Sequence, residues 1–271
     1  MSTHAQRPLA LVTGASSGIG FELAKLFAQA GYDLVVAAED DELSTATTEL
    51  EQAGVVIHPV RVNLATEAGV AELYGEVRRE GRPLRAAALN AGRGAGGAFG
   101  GDTELDDELE IVDLNVRSTV QLAKYVVTDM IASGEGRILF TSSIAATMPG
   151  PFQAVYNASK SFVQSFALAL RNELRDTGVT VTVLMPGPVE TEFFDRAEMG
   201  DTKIGAGDKD DPADVARDGF HALMNGEERV VSHSLTSKAQ AAGSRLMPDR
   251  LKAEMHRRMA EPGSGGGDGR D

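Results

Sequence analysis

Apolar runs of strand length alternate with segments that are apolar only every third or fourth residue, and this rhythm holds along most of the chain. The runs are Leu9-Ala10-Leu11-Val12, Leu34-Val35-Val36-Ala37-Ala38, residues 55–60, Arg85-Ala86-Ala87-Ala88-Leu89, Ile138-Leu139-Phe140 and Val179-Thr180-Val181-Thr182-Val183-Leu184. Continuous apolar runs suit strands buried on both faces. The intervening segments, residues 21–28 (closed by Ala30-Gly31), 41–54, 66–80, 102–133, 153–177 and 212–225, carry helical spacing. A last short run, Arg229-Val230-Val231-Ser232, reads as a seventh strand. The alternation predicts an α/β fold: a doubly wound, seven-stranded, mainly parallel sheet with helices on both faces.

The rhythm breaks twice. Residues 192–214 are polar and acidic with few apolar anchors, and read as a flap. Past His233 one more helix is expected at 248–260, with Leu251, Met255 and Met259 on a stripe that must be buried somewhere. Arg245, Arg250, Lys252, Arg257 and Arg258 surround it. The stripe is narrow and free of aromatics, which favours packing on the domain or a partner subunit over a membrane surface. The expected organisation is one domain over 1–233, a C-terminal helical extension over 234–260, and a disordered tail over 261–271, by its glycine-rich composition.

With 271 residues, 42% of them hydrophobic, the chain can bury one sizeable core. A net charge of −14 argues against nucleic acid and an anionic membrane as partners. No apolar run reaches bilayer length, and the N-terminus has no signal-peptide pattern, so a cytoplasmic protein is expected. Cysteine is absent and the five histidines are scattered, so no metal is expected.

Two stretches carry chemistry. The first strand runs into Thr13-Gly14-Ala15-Ser16-Ser17-Gly18-Ile19-Gly20 and then a helix. Glycines there let backbone approach a pyrophosphate, and the helix N-terminus offers unpaired N–H groups to it. The second strand ends at Glu39, followed by Asp40, Asp41 and Glu42, where such folds place an acid on the adenosine ribose. The fourth strand runs into Asn90-Ala91-Gly92 and a glycine-rich loop over 93–101, expected to rim the site. The other stretch ends in Tyr156-Asn157-Ala158-Ser159-Lys160. On a helix Tyr156 and Lys160 share a face one turn apart. A nearby ammonium lowers the phenol from its usual value of about 10, by about 2 units if close enough, making it a usable base. Ser143, at the end of the fifth strand, could hold a substrate oxygen as charge develops on it.

These residues resemble the short-chain dehydrogenases/reductases over roughly residues 8–232. The family's T-G-x-x-x-G-x-G turn is matched by Thr13, Gly14, Gly18 and Gly20, its N-A-G by Asn90-Ala91-Gly92, and its P-G motif by Pro186-Gly187. Its tetrad is matched by Asn115, Ser143, Tyr156 and Lys160, in order. The resemblance implies a Rossmann-like fold and an NAD(P)-dependent interconversion of a secondary alcohol and a ketone. In it Tyr156 moves the proton, Lys160 lowers its pKa and binds the nicotinamide ribose, Ser143 positions the substrate oxygen, and Asn115 holds a water toward Lys160. A cofactor would also meet Ser16, Ser17, Ile19, Asn63, Leu64, Val189 and Thr191. Asn63 stands where many members carry an adenine-binding aspartate. A homo-oligomer is implied, a dimer through the helices bearing Asn115 and Tyr156 rather than a tetramer.

The alternative is a non-catalytic dinucleotide-binding or regulatory protein on the same fold. Loss of a tetrad member would favour it, and all four are present. The acids at 39–42 point to NAD over NADP, because a 2′-phosphate would meet like charge. The expected substrate pocket is apolar: Ile144, Met148, Pro149, Phe152, Pro188, Val189 and Phe193, beside Ser143 and Tyr156. It suits a hydrophobic or mid-sized alcohol or ketone.

Overall fold

The computed structural model describes residues 7–231 and 247–265. Ser232, Arg245 and residues 266–271 of the expected tail lie outside them.

Seven parallel strands form one sheet in the order β3-β2-β1-β4-β5-β6-β7. They are β1 Leu9–Thr13, β2 Asp33–Ala38, β3 Ile57–Arg61, β4 Leu84–Leu89, β5 Gly136–Thr141, β6 Val179–Met185 and β7 Arg229–Val231. β1 and β2 are buried throughout, and β4, β5 and β6 at every position but their second, as strands covered on both faces require. Alternate residues feed two cores. Leu9 and Leu11 pack under α3 (Glu67–Arg79), α5 (Ser118–Ser133) and α6 (Ala154–Glu173). Ala10 and Val12 pack under α1 (Gly18–Gln29), α2 (Glu42–Leu50) and α9 (Pro212–Asn225). The strand order reverses between β1 and β4, which opens a crevice at their carboxyl ends, the usual ligand site of such sheets.

The helix expected over 102–133 is not continuous. It comprises α4 (Leu105–Ile111), a π-helical turn at Val112–Arg117, and α5. A π turn adds a residue to the helical repeat and is frequent at functional sites. This one carries Asn115, 1% exposed.

The flap contains two short helices, α7 (Phe193–Arg196) and α8 (Lys203–Ala206), and Val189 bridges Asp210 across its base. The C-terminal helix Asp249–Ala260 packs against α8. Its docking face corrects the expected stripe. His256 and Ala260 are buried, whereas Leu251 is 56% exposed. Ala260 joins Phe194, Ala197 and Met199 of the flap in a third apolar cluster. Residues 261–265, whose composition suggested disorder, fold back on the flap. The Gly263 and Gly265 amides donate to Asp201 Oδ2 and O at 2.8 and 2.7 Å, and Lys203 N donates to Ser264 Oγ at 3.1 Å.

Candidate active site

A cavity of about 1060 Å³ opens at the crevice and runs from the glycine turn to the flap. That is the upper end of the range for small-molecule pockets, room for a dinucleotide and a second molecule.

At one end lies the turn after β1. Gly18 sits at φ +56°, and a Cβ there would stand 2.8 Å from Thr191 Cγ2. A Cβ on Gly20 would fall 1.9 Å from Gly14 O. Both positions therefore need glycine, Gly20 for packing rather than contact, since it does not line the cavity. Ser17 precedes α1 without capping it through its side chain, so the first amides of that helix meet the cavity where Ser16, Ser17, Gly18 and Ile19 line it. This is the arrangement that binds phosphate. Asn90, Ala91 and Gly92 line the cavity too, and the Asn90 amide donates to Thr13 O at 3.2 Å and accepts from Thr141 Oγ1 at 3.0 Å, tying β1, β4 and β5 together.

Glu39 lines the cavity beside Asp40, Ala38, Val62 and Leu64. Asp40 Oδ2 accepts from Ser16 Oγ at 3.0 Å, while Oδ1 is buried with no hydrogen-bond partner among the described residues. Asn63 is exposed, does not line the cavity, and spends Oδ1 on Ala65 N at 2.7 Å. The amide expected to meet an adenine thus stands off the cavity wall, which Val62 and Leu64 on either side of it do line. Two cations also stand near. Arg61 donates to Glu39 O at 3.0 Å and pairs with Asp41, and Arg196 of the flap lies 3.8 Å from Asp40.

Further in, the structure brings Ser143, Tyr156 and Lys160 to one wall. Ser143 lies at the end of β5 and starts the 3₁₀ turn Ile144–Thr147. Lys160 is 6% exposed, its Nζ donates to Thr141 O at 3.1 Å, and it lies 5.8 Å from the Tyr156 ring centre. Burial pushes the Tyr156 phenol up to about 12, opposed by its hydrogen bond with Ser143. Burial brings the Lys160 ammonium down to about 8. The expected depression of the phenol by Lys160 is thus absent in this arrangement, because Lys160 is directed to the Thr141 carbonyl.

Asn115 stands behind this wall. A Cβ on Gly92 would lie 3.0 Å from both Asn115 Oδ1 and Lys160 Nζ. Its amide donates to Arg93 O and Ser159 Oγ, each at 2.9 Å, and accepts from Arg93 N at 3.0 Å. Both amide hydrogens are spent, so its visible role is to fix the loop after β4 against α6. Sequence reasoning missed Thr141 and Ser159, whose contributions pass through positions no motif names.

Pro186, Gly187, Pro188, Val189 and Thr191 line the cavity, and so do Ile144, Met148 and Phe193, expected around the substrate. The Phe193 ring lies against that of Tyr156, tilted by 50° with the ring centres 5.2 Å apart. Phe152 and Pro149 do not line it. Phe152, at φ +65°, packs instead under Arg257, whose guanidinium is 5.1 Å from its ring centre. Met259 of the C-terminal helix, on the stripe expected to be buried, lines the cavity, and so do His256 and Ile204 of α8, for which the sequence had no signal. Among the described residues no cluster of three or more potential ligand side chains could hold a metal ion.

The model of the short chain dehydrogenase family matches residues 8–201. Sulfoacetaldehyde reductase 2 of Chromohalobacter salexigens is 34% identical over 186 residues, covering 68% of this chain and 74% of that protein. A short-chain dehydrogenase from Sphingobium yanoikuyae, solved in complex with NADPH, gives a TM-score of 0.78 at 26% identity over 88% of this chain and 93% of that one. A short chain dehydrogenase/reductase from Burkholderia phymatum in complex with NAD gives 0.81 over 96% of this chain and 99% of that one; at 24% identity it speaks for the fold alone. Glycine turn, switch-point cavity and Ser-Tyr-Lys wall thus accompany a match over most of the chain, which belongs to the short-chain dehydrogenase/reductase family of nicotinamide-dependent oxidoreductases.

Proposed function

We propose that this protein interconverts a ketone and a secondary alcohol on a hydrophobic or mid-sized substrate, with Tyr156 as the proton-transferring group. The observation that carries the reading is the shared wall of Ser143, Tyr156 and Lys160 in a cavity that also holds the glycine turn. A bound nicotinamide supplies or accepts the hydride. The Ser143 hydroxyl donates to the substrate oxygen and stabilises negative charge as it develops. A phenol near 12 keeps its proton at neutral pH and so suits the acid role in ketone reduction. Lys160 balances the charge left on Tyr156 once that proton has gone. A panel of ketones assayed with NADH and NADPH tests the reading. No turnover with either cofactor, alongside intact binding, would instead favour a dinucleotide-binding protein without catalysis.

NAD is the proposed cofactor. Glu39 and Asp40 both line the cavity where the adenosine ribose is expected. A phosphate beside a carboxylate at about 4 Å costs roughly 4 kcal/mol per pair of unit charges at an effective dielectric near 20, before screening. The cations near this position, Arg61 and Arg196, favour NADP, but Arg61 is engaged with Glu39 O and Asp41, and Arg196 with Glu192 and Asp40. Efficiency with NADH is expected to exceed that with NADPH at least about tenfold in kcat/KM. Glu39→Arg with Ser17→Arg should narrow or invert the ratio. Equal efficiency in the native protein would reject the assignment.

A further inference from the structure

The C-terminal helix brings one polar group to the substrate end of the cavity that the catalytic reading does not use. His256 is 2% exposed and lines the same cavity as Ser143 and Tyr156. Its Nδ1 stands 3.1 Å from Pro151 O. A carbonyl oxygen only accepts, so Nδ1 carries the hydrogen and donates it. In a neutral ring Nε2 is then a bare acceptor. Burial holds the ring below the usual histidine value, partly offset by the Pro151 bond, which keeps it neutral at physiological pH. Nε2 is buried and has no hydrogen-bond partner among the described residues.

The orphaned nitrogen sits in a place built around the reacting groups. Pro151 lies two residues before Gln153, the N-cap of the helix that carries Tyr156. Phe152 between them is held at φ +65°, one of two non-glycine residues with positive φ among those described. Arg257 of the same C-terminal helix covers that ring. Strain of this kind persists where the surroundings over-determine it, often around ligands. Met148, Phe193, Ile204 and Met259 give apolar surface to the same cavity, while the polar Gln153 and Lys203 also line it, Gln153 Nε2 being spent on Met199 Sδ at 3.0 Å. A buried acceptor left unpaired is costly, and buried polar groups are normally paired. A neutral hydroxyl suits it better than a cation, which would lose water for no countercharge.

We propose that His256 is a substrate-recognition residue, its Nε2 accepting a hydrogen bond from a hydroxyl that the substrate carries remote from its reacting carbonyl. The proposal rests on the carbonyl chemistry above and narrows its substrate to hydroxylated ketones with an apolar body. With the flap seated, Nε2 is screened from solvent. The flap is tied to the C-terminal segment by the three hydrogen bonds at Asp201 and Ser264, and it must shift for a substrate hydroxyl to reach Nε2. A site that hydrogen-bonds a substrate hydroxyl discriminates strongly against the analogue lacking it, because its polar group is then left unpaired.

The test uses ω-hydroxy methyl ketones of increasing chain length, each against the alkanone ending in methyl, with saturating NADH. In the native protein one chain length should show a preference of about tenfold or more in kcat/KM for the hydroxylated member. In His256→Phe, which keeps a ring and removes the acceptor, that ratio should fall to about one. The ratio is internal to each protein, so an overall loss of activity does not obscure it. If His256→Phe fails to fold, His256→Leu, which likewise has no acceptor, replaces it. Alongside, the ¹⁵N resonance of His256 Nε2 in the NAD complex should move with a hydroxy ketone and stay with its alkanone. No preference at any length, or a preference surviving in the variant, overturns the proposal. If no ketone is reduced at all, the carbonyl chemistry has failed, and the nitrogen resonance alone decides: an unmoved Nε2 rejects recognition by His256, a moved one sustains it.

Discussion

Tyr156 and Lys160 are both buried, and burial moves them in opposite directions, the phenol up and the ammonium down. Each therefore favours its neutral form, and the consequences are separable by experiment. Tyr156→Phe removes the transferable proton and keeps the ring against Phe193. Turnover should fall by about 10² or more, while NADH binding by fluorescence titration stays near native. Retention of most activity would show that the phenol is not the acid. Lys160 bears on stability as well. Its folded pKa of about 8 lies below the unfolded value near 10.5. The penalty of burying the charge is therefore fully present below pH 8, and fades as pH rises toward the unfolded value. A shift of this size corresponds to roughly 3 kcal/mol, less about 1 for the lost hydrogen bond to Thr141. Lys160→Met should thus be more stable than native near pH 7 by about 1–3 kcal/mol in urea, with the gap closing toward pH 10. A gap independent of pH would mean that Lys160 titrates alike in the folded and unfolded chain, so that burial does not disfavour its charge.

At the scale of elements, the turn after β1 and the C-terminal helix make opposite demands. The turn tolerates nothing larger than hydrogen at position 18. Gly18→Ala combines a left-handed backbone with a Cβ 2.8 Å from Thr191, and strain there costs about 1–3 kcal/mol. NADH affinity should weaken about tenfold or more by fluorescence titration, whereas an unchanged affinity would remove the turn from the binding site. The C-terminal helix touches only the substrate end, through His256 and Met259. A chain ending at His233 should therefore keep its affinity for NADH and show a KM for ketones raised about tenfold or more. Steady-state kinetics with unchanged KM would mean that the helix is a bystander.

For the whole molecule, what remains to be buried is an apolar stripe. Leu105, Leu109 and Val112 follow one another at helical spacing along α4 into the π turn, and Val120 continues on α5. Leu105 is 67% exposed, and Phe162 of α6 is also exposed. A stripe of this kind on one face suits a second copy of the chain. It lies on the helices that the family resemblance singles out for a dimer. Light scattering should give twice the chain mass for the native protein and the monomer mass for Leu109→Asp combined with Phe162→Asp. Equal masses for the two proteins would place the contact elsewhere. Among the described residues no helix is long and apolar enough to cross a membrane.

Local regularities were legible in the sequence because each is set by neighbours along the chain. The seven strands follow from short runs rich in apolar and β-branched residues, the phosphate turn from glycines that backbone geometry demands, and the Tyr156–Lys160 face from helical periodicity. What the tertiary structure decided depends on groups far apart in sequence. The π turn at Asn115 adds one residue that no periodicity reveals, and it is held by hydrogen bonds to Arg93 and Ser159. The phenol rises because the flap and β5 bury it, and Lys160 leaves it for the Thr141 carbonyl. The C-terminal helix shows the division most sharply. Its sequence offered the stripe of Leu251, Met255 and Met259, but the flap selected the face bearing His256 and Ala260. A helix states which of its faces is most apolar; only the partner it docks on, with a carbonyl at Pro151 placed to receive an imidazole N–H, decides which face is buried.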